Sequence, residues 1–444
     1  MRELEHISSY LETVQEQIRW KRARPVLVQE LERHLEDQRD DFIREGKSPE
    51  EAERLAIQDM GDPVVLGAEL DRVHRPQPQW GLLGLTLALA CAGAFLRVFI
   101  TNGTAARSTP GNALLSLLLG TALLLGGYFL DVSRIARNAL VKYAAAVALA
   151  GMLTLVSLDG GIFRALYLSG MPHYISLCWP VFYAMLLYAL RGKRWKGCIL
   201  AVLGGIPLAF YCAYWISMAS LLAFLTTGFL LLLAAVWDDW FGVGRWKGTG
   251  AALAAAASLS ALVLLQYGES IFRRLTLVLH PELDPLGHGY FSLTLRSILD
   301  GVEWTQGSAV QPKGLFFFET QLLPALLAVR YGWLPLLVLL AALSLLLVWL
   351  LVRGLRQKHR LGRLVVLAVT LSLGVQLLLS TLLNLGFTLF AADLPLVVGN
   401  WNTVVNMGLI GLALSVFRGG SIAREEPVFS RRTRRRLRIR IEYQ

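Results

Sequence analysis

The sequence is poor in charged residues and cysteines for its length, and each shortage argues against a class of protein. Only 17% of its 444 residues are charged, and its apolar stretches lack the series of Asp, Glu and His expected of a proton-driven carrier. No GxxxxGKS or GxxxxGKT pattern is present, so nothing indicates ATP hydrolysis. The four cysteines lie in or beside apolar stretches without metal-ligand spacing, which indicates buried thiols: Cys91, Cys178, Cys198 and Cys212.

Long apolar stretches dominate the remainder of the chain. Hydrophobic residues make up 55% of the sequence, more than a soluble globular protein usually contains. Segments of about 20 apolar residues are long enough to cross a bilayer as helices. Ten such segments are present, which predicts an all-α polytopic membrane protein with ten transmembrane helices: 81–100, 112–131, 140–157, 174–190, 198–213, 218–236, 249–266, 330–352, 364–390 and 401–417.

Residues 1–75 are predicted to form a small soluble helical domain ahead of the membrane segments. They are strongly charged and contain no apolar core of a cleavable signal peptide. Apolar residues at three- and four-residue spacing predict an amphipathic helix over residues 1–20. Prolines then mark the starts of three more helices, at Pro25, Pro49 and Pro63. Residues 76–80 form the predicted linker to a membrane domain over residues 81–418.

The distribution of basic residues predicts the orientation. The four short loops on the predicted cytoplasmic side hold fourteen Lys and Arg residues, whereas the short external loops hold only Arg107 and Arg164. Both termini are therefore expected in the cytoplasm, together with a basic tail at 419–444. The net charge of +11 fits contact with anionic lipid rather than nucleic acid. The same rule places the long polar segment 266–321 outside the membrane.

The external segment contains the sequence HPELDPLGHGY at residues 280–290. Its prolines and glycines predict a tightly turned structure with polar tips. Such a turn suits contact with a polar lipid headgroup, and it equally suits a solvated loop. Elsewhere, Arg97 near the outer end of the first segment is interpreted as a side chain that extends to the membrane interface.

Two resemblances follow from motifs along the chain. Residues 30–37, 46–56 and 60–63 resemble the bacterial permease prefix domain, which implies a regulatory or docking role. Residues 80–418 resemble the FtsW/RodA/SpoVE family, also called SEDS proteins, of bacterial division, elongation and sporulation. The second resemblance is carried by residues in the family's order: Pro281, Asp284, Pro285, Leu286, Gly287, Gly289, Tyr290, Ser297, Gly301, Gly307, Leu361–Leu364, Leu373–Gln376, Leu385, Gly386, Leu394, Pro395 and Asn406–Leu409.

The SEDS resemblance implies a role in peptidoglycan synthesis at the bacterial plasma membrane. Family members polymerise lipid II, an undecaprenyl-linked precursor, beside a class B penicillin-binding protein. The implied substrate-binding residues are Arg273, Arg274, Asp284, Pro285, Gly287, Gly289, Tyr290, Gln376 and Asn400. No cofactor and no metal site are expected, although a divalent cation could accompany the pyrophosphate. Nucleic acid is not an expected partner.

The sequence departs from the family at the implied catalytic carboxylate. The resemblance places Gln321 at the position of the essential aspartate, and glutamine cannot ionise. Glu319 lies two residues away, about 200° around a helix of about 3.6 residues per turn, and is the nearest substitute acid. Three functions remain open: a divergent glycosyltransferase, a non-catalytic homologue that regulates a penicillin-binding protein, and a flippase for a lipid-linked precursor.

Overall fold

The chain divides into two compact units with a boundary between Gln79 and Trp80. Within the residues that the structure describes, every regular element is helical. The structure is a computed structural model, and it describes residues 6–21, 23–74, 78–101, 110–130, 138–158, 171–213, 218–308, 321–357, 359–390, 392–397 and 401–419.

The first unit contains four helices. Hydrogen bonds from their starting turns define two of the caps: Ser48 Oγ accepts the amide of Glu51 at 3.2 Å, and Asp62 Oδ1 accepts the amide of Val64 at 2.7 Å. The apolar face of the first helix is buried against the others and includes Tyr10 and Val14. The helices are α1 (Ile7–Gln17), α2 (Arg24–Arg44), α3 (Pro49–Met60) and α4 (Pro63–His74).

The second unit contains the apolar helices. They are α5 (Trp80–Thr101), α6 (Pro110–Phe129), α7 (Ala139–Leu158), α8 (Met171–Ile175), α9 (Trp179–Ala189), α10 (Arg194–Tyr211), α11 (Met218–Trp237), α12 (Arg245–Leu279), α13 (Tyr290–Leu299), α14 (Leu323–Tyr331), α15 (Trp333–Leu355), α16 (Arg360–Asn384) and α17 (Trp401–Gly419). Short 3₁₀ turns occupy Ser176–Cys178 and Pro281–Leu283.

Among the described residues, five helices have the length and composition of a membrane span: α5 (through Ile100), α6, α11, α15 and α16. Shorter apolar helical stretches cover Ala139–Leu153 and His173–Ala189. The prediction of an all-α polytopic membrane protein is confirmed at this level. The count of ten spans stays a prediction.

Two helix boundaries differ from the apolar segments of the sequence. Helix α12 continues as an α-helix to Leu279, well into the polar segment that begins at residue 266. The apolar segment around residue 330 is divided at Gly332, which has a φ of 91° and separates α14 from α15. Hydropathy indicates which residues can be buried in lipid or protein and does not mark where a helix ends. The backbone hydrogen bonds of α12 therefore continue through exposed polar residues.

Hydrogen bonds group the helix ends into two sets. At one end, called the basic end, Arg363 pairs with Asp238, and the amide of Gly192 donates to the carbonyl of Trp240 at 2.9 Å. At the other end, called the loop end, Arg330 Nη1 donates to the carbonyl of Ile100 at 2.8 Å. The basic end joins the turns α9–α10, α11–α12 and α15–α16, which supply ten of the predicted cytoplasmic cations that the structure describes.

Helices α6 and α17 approach closely at glycines. A Cβ on Gly127 would lie 2.9 Å from the amide nitrogen of Leu412, and one on Gly411 would lie 2.2 Å from the carbonyl oxygen of Leu124. A Cβ on the adjacent Gly126 would have no other atom within 4 Å. Small residues let helix backbones meet where the hydrophobic effect between helices is weak.

We therefore expect Gly127→Ala to destabilise the protein by about 1–3 kcal/mol, because the added methyl group forces α6 and α17 apart. The matched variant Gly126→Ala should be neutral or slightly stabilising, since its methyl group meets open space. Thermal unfolding of both purified variants in detergent measures the difference. Equal unfolding temperatures for the two variants would contradict this packing.

Candidate functional site

The segment after α12 folds back on itself around Asp284. Its carboxylate Oδ2 accepts the amide of His288 at 2.9 Å. Its carbonyl oxygen accepts the amides of Gly287 and Gly289 at 3.3 and 3.0 Å. Asp284 thus closes the turn with both its side chain and its main chain.

Both glycines of this turn lie too close to neighbouring atoms for any residue with a Cβ to replace them. A Cβ on Gly287 would lie 2.4 Å from the Asp284 carboxylate, and one on Gly289 would lie 2.0 Å from the carbonyl oxygen of Pro281. Rotation of a side chain cannot relieve the second contact, because the atom that a Cβ would meet belongs to the backbone of Pro281. Among the predicted substrate-binding residues, Asp284, Gly287 and Gly289 therefore shape the turn.

Exposed apolar and cationic side chains surround the turn. Leu286 is 92% exposed, and Leu283 and Tyr290 are also exposed. Pro285 is exposed beside them, and Arg273 and Arg274 are exposed on the last turns of α12. Exposed leucines and arginines within one segment suit a surface that rests at a lipid headgroup layer. The carboxyl group of Glu282 accepts hydrogen bonds from its own backbone and from His280, which lowers its pKa.

Anchoring contacts hold this segment against the connection between α16 and α17. Arg296 on α13 donates from Nη2 to the carbonyl of Val278 at 3.0 Å, and its guanidinium lies 5.0 Å from the ring centroid of Phe387. The hydroxyl groups of Ser292 and Thr388 are 2.8 Å apart. The turn is therefore fixed to the loop end of the membrane unit.

Gln321 lies where the chain enters α14, and Asn384 holds it there. Asn384 Nδ2 donates to the carbonyl of Gln321 at 2.9 Å, while its Oδ1 accepts the amide of Ala325 at 2.9 Å. The side-chain Oε1 of Gln321 is buried with no hydrogen-bond partner in the described part of the chain. The other two predicted residues of this region, Glu319 and Asn400, lie outside the described residues.

Helix α16 carries a buried polar stripe at four-residue spacing: Ser372, Gln376, Ser380 and Asn384. Residues four apart share one helix face, so the stripe faces a single set of neighbours. Sequence reasoning singled out only Gln376, although the spacing of the stripe is visible in the sequence.

The predicted substrate-binding residue Gln376 is part of a buried amide cluster. Its Oε1 accepts Nδ2 of Asn402 at 3.1 Å and Nδ2 of Asn406 at 3.0 Å. Its Nε2 donates to the carbonyl of Ser372 and to Oδ1 of Asn406, both at 3.2 Å. Gln376 is 5% exposed, and its amide is fully used in joining α16 to α17.

A second polar cluster, which sequence reasoning missed, surrounds Asp393. The hydroxyl of Tyr174 donates to Asp393 Oδ2 at 2.5 Å, and Oδ1 has no hydrogen-bond partner among the described residues. Nδ1 of His173 is 3.2 Å from the hydroxyl of Ser220. Asp393 is only 4% exposed. Burying a carboxylate costs free energy unless the group is paired or hydrogen-bonded. This cluster is therefore a candidate for a functional role.

Charges and burial act on Asp393 in opposite directions. Burial raises the pKa of its carboxyl group, whereas the hydrogen bond from Tyr174 and the nearby His173 and Arg97 oppose that rise. Arg97, which the sequence predicts to extend to the membrane interface, is partly buried, and its positive charge acts on Asp393.

The backbone that carries Asp393 is buried without being helical. Residues 392–397 are all buried between α16 and α17, and Leu396 has a φ of 66°, in the left-handed region that a leucine rarely adopts. Helix α5 makes room for this segment at Gly93, where a Cβ would lie 2.5 Å from Cα of Val397. Irregular backbone of this kind is tolerated in a membrane protein where protein surrounds it.

A cavity elsewhere in the described structure has few polar groups. It has a volume of about 220 Å³ and lies between α10, α11 and α12 near the basic end, lined by residues such as Trp195, Val202 and Leu232. Across the described ranges, no three His, Cys, Asp or Glu side chains are grouped as a metal site. The loop end, with Asp284, Gln321 and Asp393, is therefore the candidate functional site.

These features define an all-α polytopic membrane protein with a site at one end of its helices, and comparisons with known proteins identify the fold. No protein-family model matches the chain, and no curated protein matches it. Solved structures do match, and the chain has the fold of RodA, a rod shape determining protein. The resemblance to the FtsW/RodA/SpoVE family is thus confirmed at the level of the fold.

The similarities extend over most of each chain. A chain of a peptidoglycan synthase complex, described for its coordination of polymerization and crosslinking, has a TM-score of 0.60 and 20% identity and covers 77% of this chain and 98% of its own. RodA of Thermus thermophilus has a TM-score of 0.52 and 19% identity, with coverage of 77% and 97%. A variant of the same RodA gives the same score and identity, with coverage of 77% and 98%.

We expect Gly93→Ala to displace residues 392–397, because the new methyl group would overlap the backbone at Leu396 and Val397. Hydrogen exchange of the peptide containing these residues should become faster, and stability should fall by about 1–3 kcal/mol. Gly84→Ala, on the same helix but facing open space, is the control and should leave exchange unchanged. Unchanged exchange in Gly93→Ala would show that the segment does not depend on this contact.

Proposed function

We propose that this protein is a divergent SEDS protein that polymerises an undecaprenyl-linked peptidoglycan precursor at the outer face of the bacterial plasma membrane. The proposal is carried by one observation: a RodA-like fold over 77% of the chain presents the Asp284 turn and Asn384, the last residue of the buried polar stripe, at the same end. The sequence match of the turn to the family supports it, since its glycines are the residues that space requires.

The proposed reaction joins two lipid-linked saccharides. The hydroxyl oxygen of one attacks the anomeric carbon of the other, and the new C–O bond forms as the bond to the diphosphate breaks. The lipid diphosphate leaves with the electron pair, and the hydroxyl proton passes to a protein carboxylate. Arg273 and Arg274, exposed on α12, are suitable cations for the diphosphate.

A non-catalytic homologue is the second candidate, and the residue type at position 321 supports it. An amide stands where the resemblance implies the essential carboxylate, and it cannot accept a proton at neutral pH. In this alternative the protein binds the precursor or a class B penicillin-binding protein and regulates wall assembly. Similarity to a chain of a peptidoglycan synthase complex supports a partner of that kind in either case.

The proposed orientation places the basic end in the cytoplasm and the loop end outside. Clustered Arg and Lys residues at the turns of the basic end support this arrangement. Both termini would then be cytoplasmic. A role for the first unit in docking or regulation, as the permease prefix resemblance implies, remains part of the proposal.

The purified protein should convert fluorescent lipid II into glycan strands in proteoliposomes, measured by gel electrophoresis, with and without a class B penicillin-binding protein. Gln321→Ala should retain this activity, because an amide contributes no proton transfer. Gly84→Ala, which faces open space, is the matched control for expression and folding.

Other outcomes select the alternatives. Absence of strands with every partner, together with retained partner binding, would identify the regulatory homologue. Strands that appear only in Gln321→Asp would show that the natural protein has lost the catalytic acid. Equilibration of labelled lipid II across the bilayer without polymerisation would identify a flippase.

A further inference from the structure

Asp393 has an acceptor atom that nothing in the described structure uses. Its Oδ2 is held by Tyr174, whereas its Oδ1 is buried and without a hydrogen-bond partner among the described residues. Native proteins rarely leave a buried polar atom in that state unless a proton, water or ligand completes it. The charged and titratable groups that act on it are Arg97 from α5 and His173 and Tyr174 from α8. Ser220 of α11 contacts His173 and adds no charge.

The connection between α16 and α17 places Asp393 in the candidate site. Asn384, at the start of this connection, holds the entry to α14 at Gln321. Thr388 contacts Ser292, which follows the Asp284 turn. Asp393 follows five residues later on the same connection. One continuous stretch of chain therefore contacts the position of the missing carboxylate, supports the external turn and supplies a carboxylate of its own.

We propose that Asp393 is the proton-accepting carboxylate of the loop end, where it supplies the function for which the amide of Gln321 is unsuited. This inference rests on the proposed polymerisation reaction. Oδ1 accepts the proton of the attacking hydroxyl group as the hydroxyl oxygen bonds to the anomeric carbon and the lipid diphosphate departs. Tyr174 holds Oδ2, so that Oδ1 is the free acceptor.

The surroundings of Asp393 suit a base. A carboxylate with a raised pKa is a stronger proton acceptor than an exposed one, and Arg97 favours the ionised form that must exist before the reaction. The left-handed Leu396 fixes the backbone three residues later in a conformation that costs free energy. Such strain is common where a side chain must be held in one place for function.

The first test compares Asp393→Asn with Glu319→Gln in the lipid II polymerisation assay. Asp393→Asn should lower the rate by about 100-fold or more while the variant still binds lipid II, because asparagine keeps the shape and removes proton acceptance. Glu269→Gln, which removes an exposed carboxylate from α12, is the control and should keep the wild-type rate. Wild-type activity in Asp393→Asn, or its loss in Glu319→Gln alone, would overturn the inference and leave the proposed function standing.

The second test uses Tyr174→Phe, which keeps the ring and loses the hydrogen bond. Because that bond lowers the pKa of Asp393, its removal should raise the pKa further. The polymerisation rate rises with pH as the base ionises, so the rising limb of the pH profile should move to higher pH in Tyr174→Phe. A structural role for Tyr174 would lower the rate at every pH without moving the limb.

Infrared difference spectroscopy separates failure of the inference from failure of the proposed function. Addition of lipid II to the full-length protein should change a carboxyl band that is absent in Asp393→Asn and present in Gln321→Ala. If the wild-type protein makes no glycan strands, the polymerase function fails, and this band alone decides whether Asp393 changes protonation when precursor binds. Absence of an Asp393-dependent band would overturn the inference.

Discussion

The need to satisfy backbone polar groups away from water governs the second unit. Helices do so internally, and the described chain is helical wherever it is most apolar. The buried residues 392–397 are the exception, and protein on several sides encloses them. Polar side chains of α16, from Asn384 to the amides around Gln376, join it to α14 and α17. The candidate site thus combines buried irregular backbone with hydrogen-bonded polar side chains.

This arrangement brings three polar residues to the loop end. Asn384 positions the entry to α14, Asp284 closes the turn that follows α12, and Asp393 contributes the buried acid. The three residues belong to two distant parts of the sequence. They lie at one end because the helices return the chain to it, and a hydrogen bond between Ser292 and Thr388 joins the two connections there.

Much of the fold follows from the sequence, whereas the buried acid does not. Hydropathy located the apolar helices, and the glycines at 287 and 289 were recognised through their turn. The end of α12 was missed because polar residues such as Glu269 signal solvent without ending a helix. Asp393 resembled an ordinary loop acid. Its burial depends on Tyr174, more than two hundred residues earlier, and no local pattern reports such a contact.

The length of α12, which contains the seventh predicted span, links the position of the Asp284 turn to membrane thickness. Its 35 residues span about 52 Å at about 1.5 Å per residue, whereas a hydrocarbon core is about 30 Å thick. Its second half exposes Leu265, Phe272 and Leu279. If α12 crosses the bilayer as the sequence predicts, a thin bilayer favours a strongly tilted α12 that keeps these side chains near lipid, and a thick one favours a more upright helix. In that arrangement lipid composition would control how high the Asp284 turn stands above the membrane.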